Sequence, residues 1–455
     1  MEHLNSERDA KAVSIEEFYQ LKPAPIWKYF SVDNFAFWMS CAYLFFEYVR
    51  PQAIWPVLDL YSSWAQTFVV LSFVGWLLDS NKEFVWTKIS TGIAAFLVLI
   101  ILSCTNAYWP QIAWNNFMNF FNWAVIFFVL TQIITNRRRF FIFLLIFFLA
   151  SFKLSFYGAR TFAMRGFSFT SWGLAGPEGY FQNPGELAIQ MVVFAPMALF
   201  FTFGVRPYLK KWKAYLLYLM PITAVLTIIG TNTRGGQIAL LAVLVAMIAM
   251  SKHRLKMFIA VAIIGLIGFQ LLPPEQKARF ETMGDDATSQ QRLLYWQHGW
   301  QMIKDHPWLG VGFFNFIPYY KQYHSDDIIL PHHARLGIVE LPHNIIIQVG
   351  TDTGFSGTVV FLGLITFAFL HTRKIGKAAK SDGDLFLENI TKGMNLALIG
   401  FFVAGQFVTV AYYPFLWIHL LFVTAMDTFW KKEKAHGTNS LYRIKSLQGS
   451  ASIHR

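Results

Sequence analysis

The stretch RRRFFIFLLIFFLASFKLSFY, residues 137–157, decides the fold, because three arginines precede an apolar run of membrane-spanning length. A helix needs about 20 apolar residues to cross the hydrocarbon core of a bilayer. Similar runs recur along nearly the whole chain of 455 residues, in which 55% of the side chains are hydrophobic and only 14% are charged. Soluble domains carry about 25% charged residues. The sequence therefore predicts an all-α polytopic membrane protein, in which each helix satisfies its own backbone groups within the lipid.

Apolar runs separated by polar breaks predict twelve transmembrane helices. The predicted spans are residues 34–50, 62–80, 89–107, 113–135, 139–157, 184–204, 213–230, 233–251, 255–272, 343–371, 391–410 and 413–430. They divide the chain into an N-terminal segment (1–33), spans one to nine (34–272), a long loop (273–342), spans ten to twelve (343–430) and a tail (431–455). In the loop, LLYWQHGWQMIK (293–304) predicts an amphipathic helix near the membrane surface, and HPWLGVG (306–312) should end it.

The basic residues set the expected orientation. Lysine and arginine are concentrated in alternate connections, at residues 82–88, 137–139, 206–213, 252–256 and 373–392. Because such connections face the cytoplasm, both termini are predicted to be cytoplasmic. A polar stretch of about 30 residues precedes the first span, which favours an uncleaved anchor over a signal peptide. The polar, basic tail after Trp430 is predicted to be disordered.

Two global features exclude other classes of function. The net charge of +12 is scattered over short connections between apolar runs, so nucleic acid is not an expected partner. Cys41 and Cys104 both lie inside apolar runs, which excludes a disulfide framework and a thiolate metal site.

The turn TNTRGG, residues 231–236, places Arg234 between spans seven and eight at the outer mouth of the predicted bundle. A cation there is costly unless it is paired or hydrated, so such residues suggest a functional role. Gly235 and Gly236 would allow close approach of an anionic ligand to the backbone, at the N-terminus of the following helix. The alternative is an interfacial arginine that reaches for lipid headgroups.

The segment LPHNIIIQVGTDTGFSG, residues 341–357, opens span ten with His343 and carries Asp352 about two turns later. Histidine exchanges protons near neutral pH, as general-base activation of a sugar hydroxyl requires. An interfacial histidine with satisfied hydrogen bonds is the alternative. The glycines at 350, 354 and 357 favour close helix packing or a local break.

Further arginines lie on the same predicted outer side. Arg292 begins the amphipathic helix, and Arg160 and Arg165 precede the Asn-Pro turn that opens span six. A guanidinium is planar and always charged, so it suits phosphate oxygens, although a helix cap or solvent exposure also explains Arg292. The tryptophans of the loop (Trp296, Trp300 and Trp308) could stack on sugars, but anchoring to lipid is the commoner use.

Metal binding has little support in the sequence. Asp285 with Asp286, and Asp326 with Asp327, could bind a divalent ion, but adjacent acids in a polar loop are usually only solvated. His332 and His333 with His343 fit no familiar zinc spacing.

Three segments together resemble the O-antigen ligase and O-antigen polymerase superfamily of bacterial membrane glycosyltransferases. They are TRGG (233–236), the run from Arg292 through HPWLGVGFFNF (306–316), and HNIIIQVGTDTGFSG (343–357), and their order and the long outer loop match over about residues 180–430. Asp352 is a departure, since the family more often has a glutamate there. The resemblance implies a GT-C-like fold in a bacterial inner membrane, with the site facing the periplasm.

The resemblance also implies residue roles. His343 and Arg234 would be catalytic, and the pyrophosphate of an undecaprenyl-linked glycan donor would bind Arg234, Arg292, Arg160 and Arg165. Asn344, Gly235, Gly236 and Asp352 would support them. Transfer would invert the anomeric carbon and use no metal or other cofactor, because fixed guanidinium groups stabilise the leaving diphosphate. The acceptor would be a glycan, a lipid A core or a protein.

Alternative functions remain open at this stage. A polymerase would use the same chemistry to join lipid-linked repeat units. A transporter or flippase of lipid-linked sugars would account for twelve spans, but such folds usually have two matched halves with binding residues at the midplane, and no half-to-half similarity is visible. A non-catalytic membrane scaffold is the remaining possibility.

Overall fold

The computed structural model describes residues 13–61, 63–170, 172–271 and 287–451, and across these ranges the chain is helical without strands. The helices are α1 Ile15–Tyr19, α2 Pro23–Ser31, α3 Phe35–Tyr48, α4 Pro56–Asp59, α5 Trp64–Leu78, α6 Lys88–Thr105, α7 Pro110–Asn116, α8 Met118–Ile133, α9 Arg137–Met164, α10 Pro184–Val205, α11 Lys211–Leu217, α12 Leu219–Gly230, α13 Arg234–Met250, α14 Arg254–Leu271, α15 Ala287–Asp305, α16 Phe316–Tyr323, α17 Pro331–Leu336, α18 Ile345–Asp382, α19 Leu385–Ala404 and α20 Pro414–Ala451. The predicted all-α fold is confirmed.

Every predicted span coincides with a helix or a pair of consecutive helices. Within the described residues, six stretches are long and apolar enough to cross a membrane: Lys88–Thr105, Pro110–Ile133, Arg137–Met164, Pro184–Tyr208, Lys211–Gly230 and Ile345–Asp382. Two shorter apolar helices are Trp64–Leu78 and Arg234–Met250. The total of twelve spans stays a prediction.

Helices α10 and α19 form the centre of the bundle, and small residues let them approach closely. A Cβ on Gly393 of α19 would lie 3.0 Å from the Cα of Met197 on α10. A Cβ on Gly400 would lie 2.4 Å from a methyl group of Val192. Helix α10 begins at the predicted Asn-Pro turn, where Asn183 caps the helix and Glu186 completes a capping box.

Ion pairs gather the predicted cytoplasmic connections at one end of the bundle. Arg137, at the start of α9, contacts Asp384 at 2.5 Å and Glu433 at 2.6 Å, and Arg139 contacts Asp33 at 2.5 Å. These contacts join the N-terminal segment, α9, the N-cap of α19 and the middle of α20. The shared end agrees with the charge pattern, while the compartment that it faces stays a prediction.

The tail departs from the prediction. Helix α20 continues past Trp430 to Ala451, where composition predicts disorder. The lysines that suggest solvation instead contact acids: Lys431 with Asp427 at 2.7 Å, Lys432 with Glu83, and Lys434 with Asp382 at 2.6 Å. The prediction of disorder directly after Trp430 is therefore wrong.

Helix α18 is interrupted at Gly354, whose φ of 66° and ψ of −166° are not helical. The loop segment around HPWLGVG fills the interruption. The Val311 amide donates to the Thr351 carbonyl at 2.8 Å, and the Phe355 amide donates to the Pro307 carbonyl at 2.8 Å. The break therefore fastens the outer loop to the bundle.

The outer loop has a small hydrophobic core of its own, formed by Tyr295, Met302, Val311, Phe316, Tyr320, Ile328 and Val339. Helix α15 confirms the predicted amphipathic helix, and it ends at Asp305 directly before the predicted breaker. Of the predicted loop, residues 273–286 lie outside the described residues, and with them the pair Asp285 and Asp286.

Candidate functional site

His343 occupies a sharp corner immediately before α18. Its φ of 51° is a left-handed conformation that is rare for non-glycine residues. The residues that do adopt it cluster at functional sites. The corner is fixed on one side by its own amide, which donates to Thr409 Oγ1 at 2.8 Å. On the other side Asn344 caps α18, because its Oδ1 accepts from the amides of Ile346 and Ile347. The role of Asn344 visible here is structural.

An acid orients the imidazole of His343. Its Nε2 lies 3.3 Å from Glu340 Oε2, and about a quarter of the His343 side chain is exposed (24%). The hydrogen bond from His343 lowers the pKa of Glu340; burial opposes that shift, and the positive charge of Arg292 adds to it. Glu340 is therefore ionised at neutral pH and favours the tautomer with the proton on Nε2, which leaves Nδ1 as the acceptor nitrogen.

Helix α15 holds the segment that leads into His343. The Tyr295 hydroxyl accepts from the Glu340 amide at 3.2 Å, and Trp296 Nε1 donates to the Pro342 carbonyl at 2.7 Å. Arg292 lies one turn before Trp296 on the same helix, and its charge acts on Glu340. Trp296 therefore anchors the corner rather than standing free to bind a sugar, and Arg292 lies on the helix that holds the corner.

Arg234 begins α13 after a tight turn in which Asn232 has a φ of 56°. The two following glycines are needed for helix packing. A Cβ on Gly235 would lie 2.6 Å from the Cβ of Phe407, and one on Gly236 would lie 2.7 Å from the Cβ of Ala188. The turn therefore contacts the connection between α19 and α20, residues 405–413.

That same connection holds His343. Phe407 contacts the Arg234 motif, Thr409 binds the amide of His343, and the Gly405 carbonyl accepts from the Ile345 amide at 2.8 Å. The structure thus brings the two predicted motifs into contact with one short segment, although they are more than 100 residues apart in the chain.

Arg165 and Arg160 have few described contacts with the Arg234 and His343 motifs. Arg165 is exposed and donates to Thr170 Oγ1 at 3.5 Å, while the Thr170 carbonyl accepts from the side chain of Asn232 at 3.2 Å. Arg165 therefore lies near the Arg234 turn. Arg160 is exposed on α9, more than one turn before Arg165, and the described contacts do not link it to either motif.

Asp352 is buried inside α18 and serves the packing of the site. One carboxylate oxygen accepts from the Phe314 amide at 3.0 Å and the other from the Tyr412 hydroxyl at 2.9 Å. It therefore connects the broken helix to the outer loop and to the 405–413 connection. Since it is only 2% exposed, its visible role is to support the site.

The histidines of the loop do not group as the weak zinc hypothesis would require. Among the described residues, the group with suitable spacing for a metal ion is His298, His324 and Asp327, and it includes neither His332, His333 nor His343.

Part of the chain matches the model of a known protein family. Residues 219–362 match the family model described as O-antigen ligase. The match confirms the resemblance to the O-antigen ligase and polymerase superfamily. It runs from α12 into α18, so the matched region contains Arg234, Arg292, His343 and Asp352, while Arg160 and Arg165 lie outside it. A comparison with curated proteins finds no match.

Sequence reasoning missed two residues that contact His343. Glu340 stands three residues before His343, a spacing that could have suggested a carboxylate and histidine pair. Thr409 has no comparable signal, because its contact with His343 spans 66 positions and follows from the tertiary fold.

Proposed function

We propose that the chain is an inverting membrane glycosyltransferase of the O-antigen ligase type. It transfers a glycan from an undecaprenyl-pyrophosphate carrier to an acceptor hydroxyl on the periplasmic face of a bacterial inner membrane. The observation that carries the proposal is the arrangement around residues 405–413, where the corner with His343 and the turn with Arg234 contact one segment. The family match over residues 219–362 supports it.

In the proposed mechanism His343 is the general base. Glu340 accepts from Nε2, so Nδ1 takes the proton of the acceptor hydroxyl. The oxygen then attacks the anomeric carbon, and the bond from that carbon to the diphosphate oxygen breaks on the opposite face. The electron pair leaves with the diphosphate, which gives inversion and a balanced transfer. General-base catalysis of this kind contributes about 10²- to 10⁴-fold to the rate.

The leaving diphosphate gains negative charge as the bond breaks, and guanidinium groups would stabilise it. Arg292 lies one turn before Trp296, whose side chain holds the backbone next to His343, so it is on the element that supports this corner. Arg234 lies at the N-terminus of α13, where the helix dipole also favours an anion. Arg165, close to the Arg234 turn, and Arg160 would assist electrostatically. Fixed cations in a partly dry site stabilise the transition state in place of a metal ion.

The proposal is tested by transfer from a purified lipid-linked donor. We expect His343→Ala to abolish transfer. Because His343 has a positive φ, His343→Asn should preserve the fold better, since asparagine tolerates this conformation, and should be equally inactive. His332→Ala, an exposed histidine of the same loop, is the matched control and should retain activity. Transfer at the wild-type rate by His343→Asn would remove His343 from the mechanism.

A strain in which the gene is deleted tests which acceptor the protein uses. We propose a ligase, so finished polymer should accumulate on the lipid carrier when the gene is deleted. Accumulation of single repeat units would instead identify a polymerase with the same site chemistry. Accumulation of donor on the cytoplasmic leaflet would favour a flippase.

A further inference from the structure

A second group of polar side chains lies in the outer loop, separate from the pair of Glu340 and His343. His298 is on α15, His324 follows α16, and Asp327 ends the short 3₁₀ turn Ser325–Asp327. Their ligand atoms all lie within 4.8 Å of one another. His298 Nε2 is 2.7 Å from Asp327 Oδ2, and the two imidazole rings are stacked with centroids 4.0 Å apart.

We propose that His298, His324 and Asp327 bind one divalent transition-metal ion of the Zn²⁺ class. Two imidazole nitrogens and a carboxylate oxygen are a donor set that Zn²⁺ prefers, with water in a fourth position. In a tetrahedral site with bonds of about 2.1 Å, ligand atoms are ~3.4 Å apart. The ligand atoms lie within 4.8 Å of one another, so they can surround one ion once the two stacked rings turn their in-plane nitrogen lone pairs toward it.

A simple ion pair accounts for less of the geometry. His298 and Asp327 would suffice for such a pair, and nothing in it requires a second imidazole. His324 is nevertheless held face to face with His298, and both rings contact the ring of Tyr320 at a centroid distance of 5.4 Å. The nearness of a second imidazole to this pair is what an ion shared by three ligands would require.

The surrounding residues provide a rigid frame for the ligands. Gln291 donates to the Asp327 carbonyl at 3.1 Å and accepts from the Ile329 amide at 2.7 Å. The Tyr320 hydroxyl also donates to the Asp327 carbonyl, at 3.4 Å. These contacts fix the backbone at Asp327, the residue that would supply the carboxylate ligand.

The ion would fasten the segment around residues 324–327 to α15. The outer loop has a core of seven buried hydrophobic residues, and units with small cores are commonly reinforced by a metal or disulfides. Gln291, which bonds to Asp327, is the neighbour of Arg292. In this proposal the ion holds the loop together and takes no part in the transfer step, so the inference does not depend on the proposed transferase activity.

The test uses the full-length protein, purified and stripped with a chelator. With Zn²⁺ alone as the probe, we expect one equivalent to bind to the wild type. Binding should weaken about 100-fold or more in His298→Ala and His324→Ala, and stay unchanged in the control His332→Ala. Zn²⁺ should also slow proteolysis of the wild-type loop, whereas Mg²⁺, which prefers oxygen ligands, should not.

The following results would overturn the proposal of a metal site. The absence of stoichiometric Zn²⁺ binding by the folded wild type overturns the proposal, as does unchanged affinity in both histidine variants. If those variants do not fold, Asp327→Asn, which keeps the size of a half-exposed side chain, takes their place. Zn²⁺ bound equally well by Asp327→Asn and the wild type would then contradict the three-ligand site.

Discussion

The break in α18 at Gly354 should be intolerant of any side chain. Its combination of φ 66° and ψ −166° is accessible almost only to glycine, and forcing another residue into such a region costs about 1–3 kcal/mol. A Cβ there would also lie 2.5 Å from the carbonyl oxygen of Pro307 and 2.6 Å from the carbonyl carbon of Trp308. Since both are backbone atoms that cannot rotate away, overpacking adds about 1–3 kcal/mol. We expect Gly354→Ala to destabilise the protein by about 2–6 kcal/mol.

Gly363→Ala is the matched control on the same helix, because a Cβ at Gly363 meets no heavy atom within 4 Å. Both variants are purified in detergent and heated, and the fraction that stays monodisperse by size-exclusion chromatography is measured against temperature. Gly354→Ala should have a midpoint several degrees lower than the wild type, whereas Gly363→Ala should match or exceed it, since alanine is the better helix former. Equal midpoints for the two variants would refute the argument that the loop and α18 interlock at this glycine.

Three other predictions concern Arg234, Glu340 and Thr409. Arg234→Lys keeps the charge but loses the planar fork that binds two phosphate oxygens, so we expect kcat/KM to fall by about 10-fold or more; wild-type kcat/KM would leave Arg234 only a steering role. The pKa of Glu340 is lowered in the folded protein, so its hydrogen bond with His343 stabilises fully above the ordinary glutamate value of 4.5 and is lost as pH falls through the lower folded value. Glu340→Gln should accordingly melt below the wild type at neutral pH, with a difference that disappears in acid, and a gap that persists in acid would contradict this. Thr409→Val leaves the His343 amide without its acceptor at a cost of about 1–3 kcal/mol and should impair transfer, whereas Thr409→Ser should not; similar rates for the two would exclude a positioning role for the hydroxyl.

Local signals in the sequence predict the helices well because each depends on neighbouring residues. The Asn-Pro turn predicts where α10 begins, and Asn183 caps the helix there. The glycine at 354 interrupts α18 within the stretch where closely spaced glycines favour a break. The continuation of α20 past Trp430 could not be predicted in this way, since Lys432 and Lys434 pair with Glu83 and Asp382, which are distant in sequence.

The candidate site was only partly accessible to the same reasoning. The sequence indicates which residue types suit diphosphate and hydroxyl chemistry, and it places Arg234 and His343 at one mouth of the bundle. It cannot show that both motifs contact residues 405–413, because that segment carries no charged side chain and no recognisable pattern. Its contribution is made by the Thr409 hydroxyl and by the Cβ of Phe407, and neither has meaning before the helices are assembled.

The arrangement of contacts bears on how the proposed donor would be bound. Arg292 and the corner at His343 are coupled through Trp296 on α15, and the corner is coupled to residues 405–413 through Thr409. The Arg234 turn packs on the same segment through Gly235. A shift of any one of these three elements must therefore break a hydrogen bond or a close contact with its neighbour. Charges held in this way stabilise a transition state effectively, because they need not be reoriented as the leaving group departs. In the proposed mechanism, the rigid framework around residues 405–413 thus contributes to catalysis although none of its side chains is ionised.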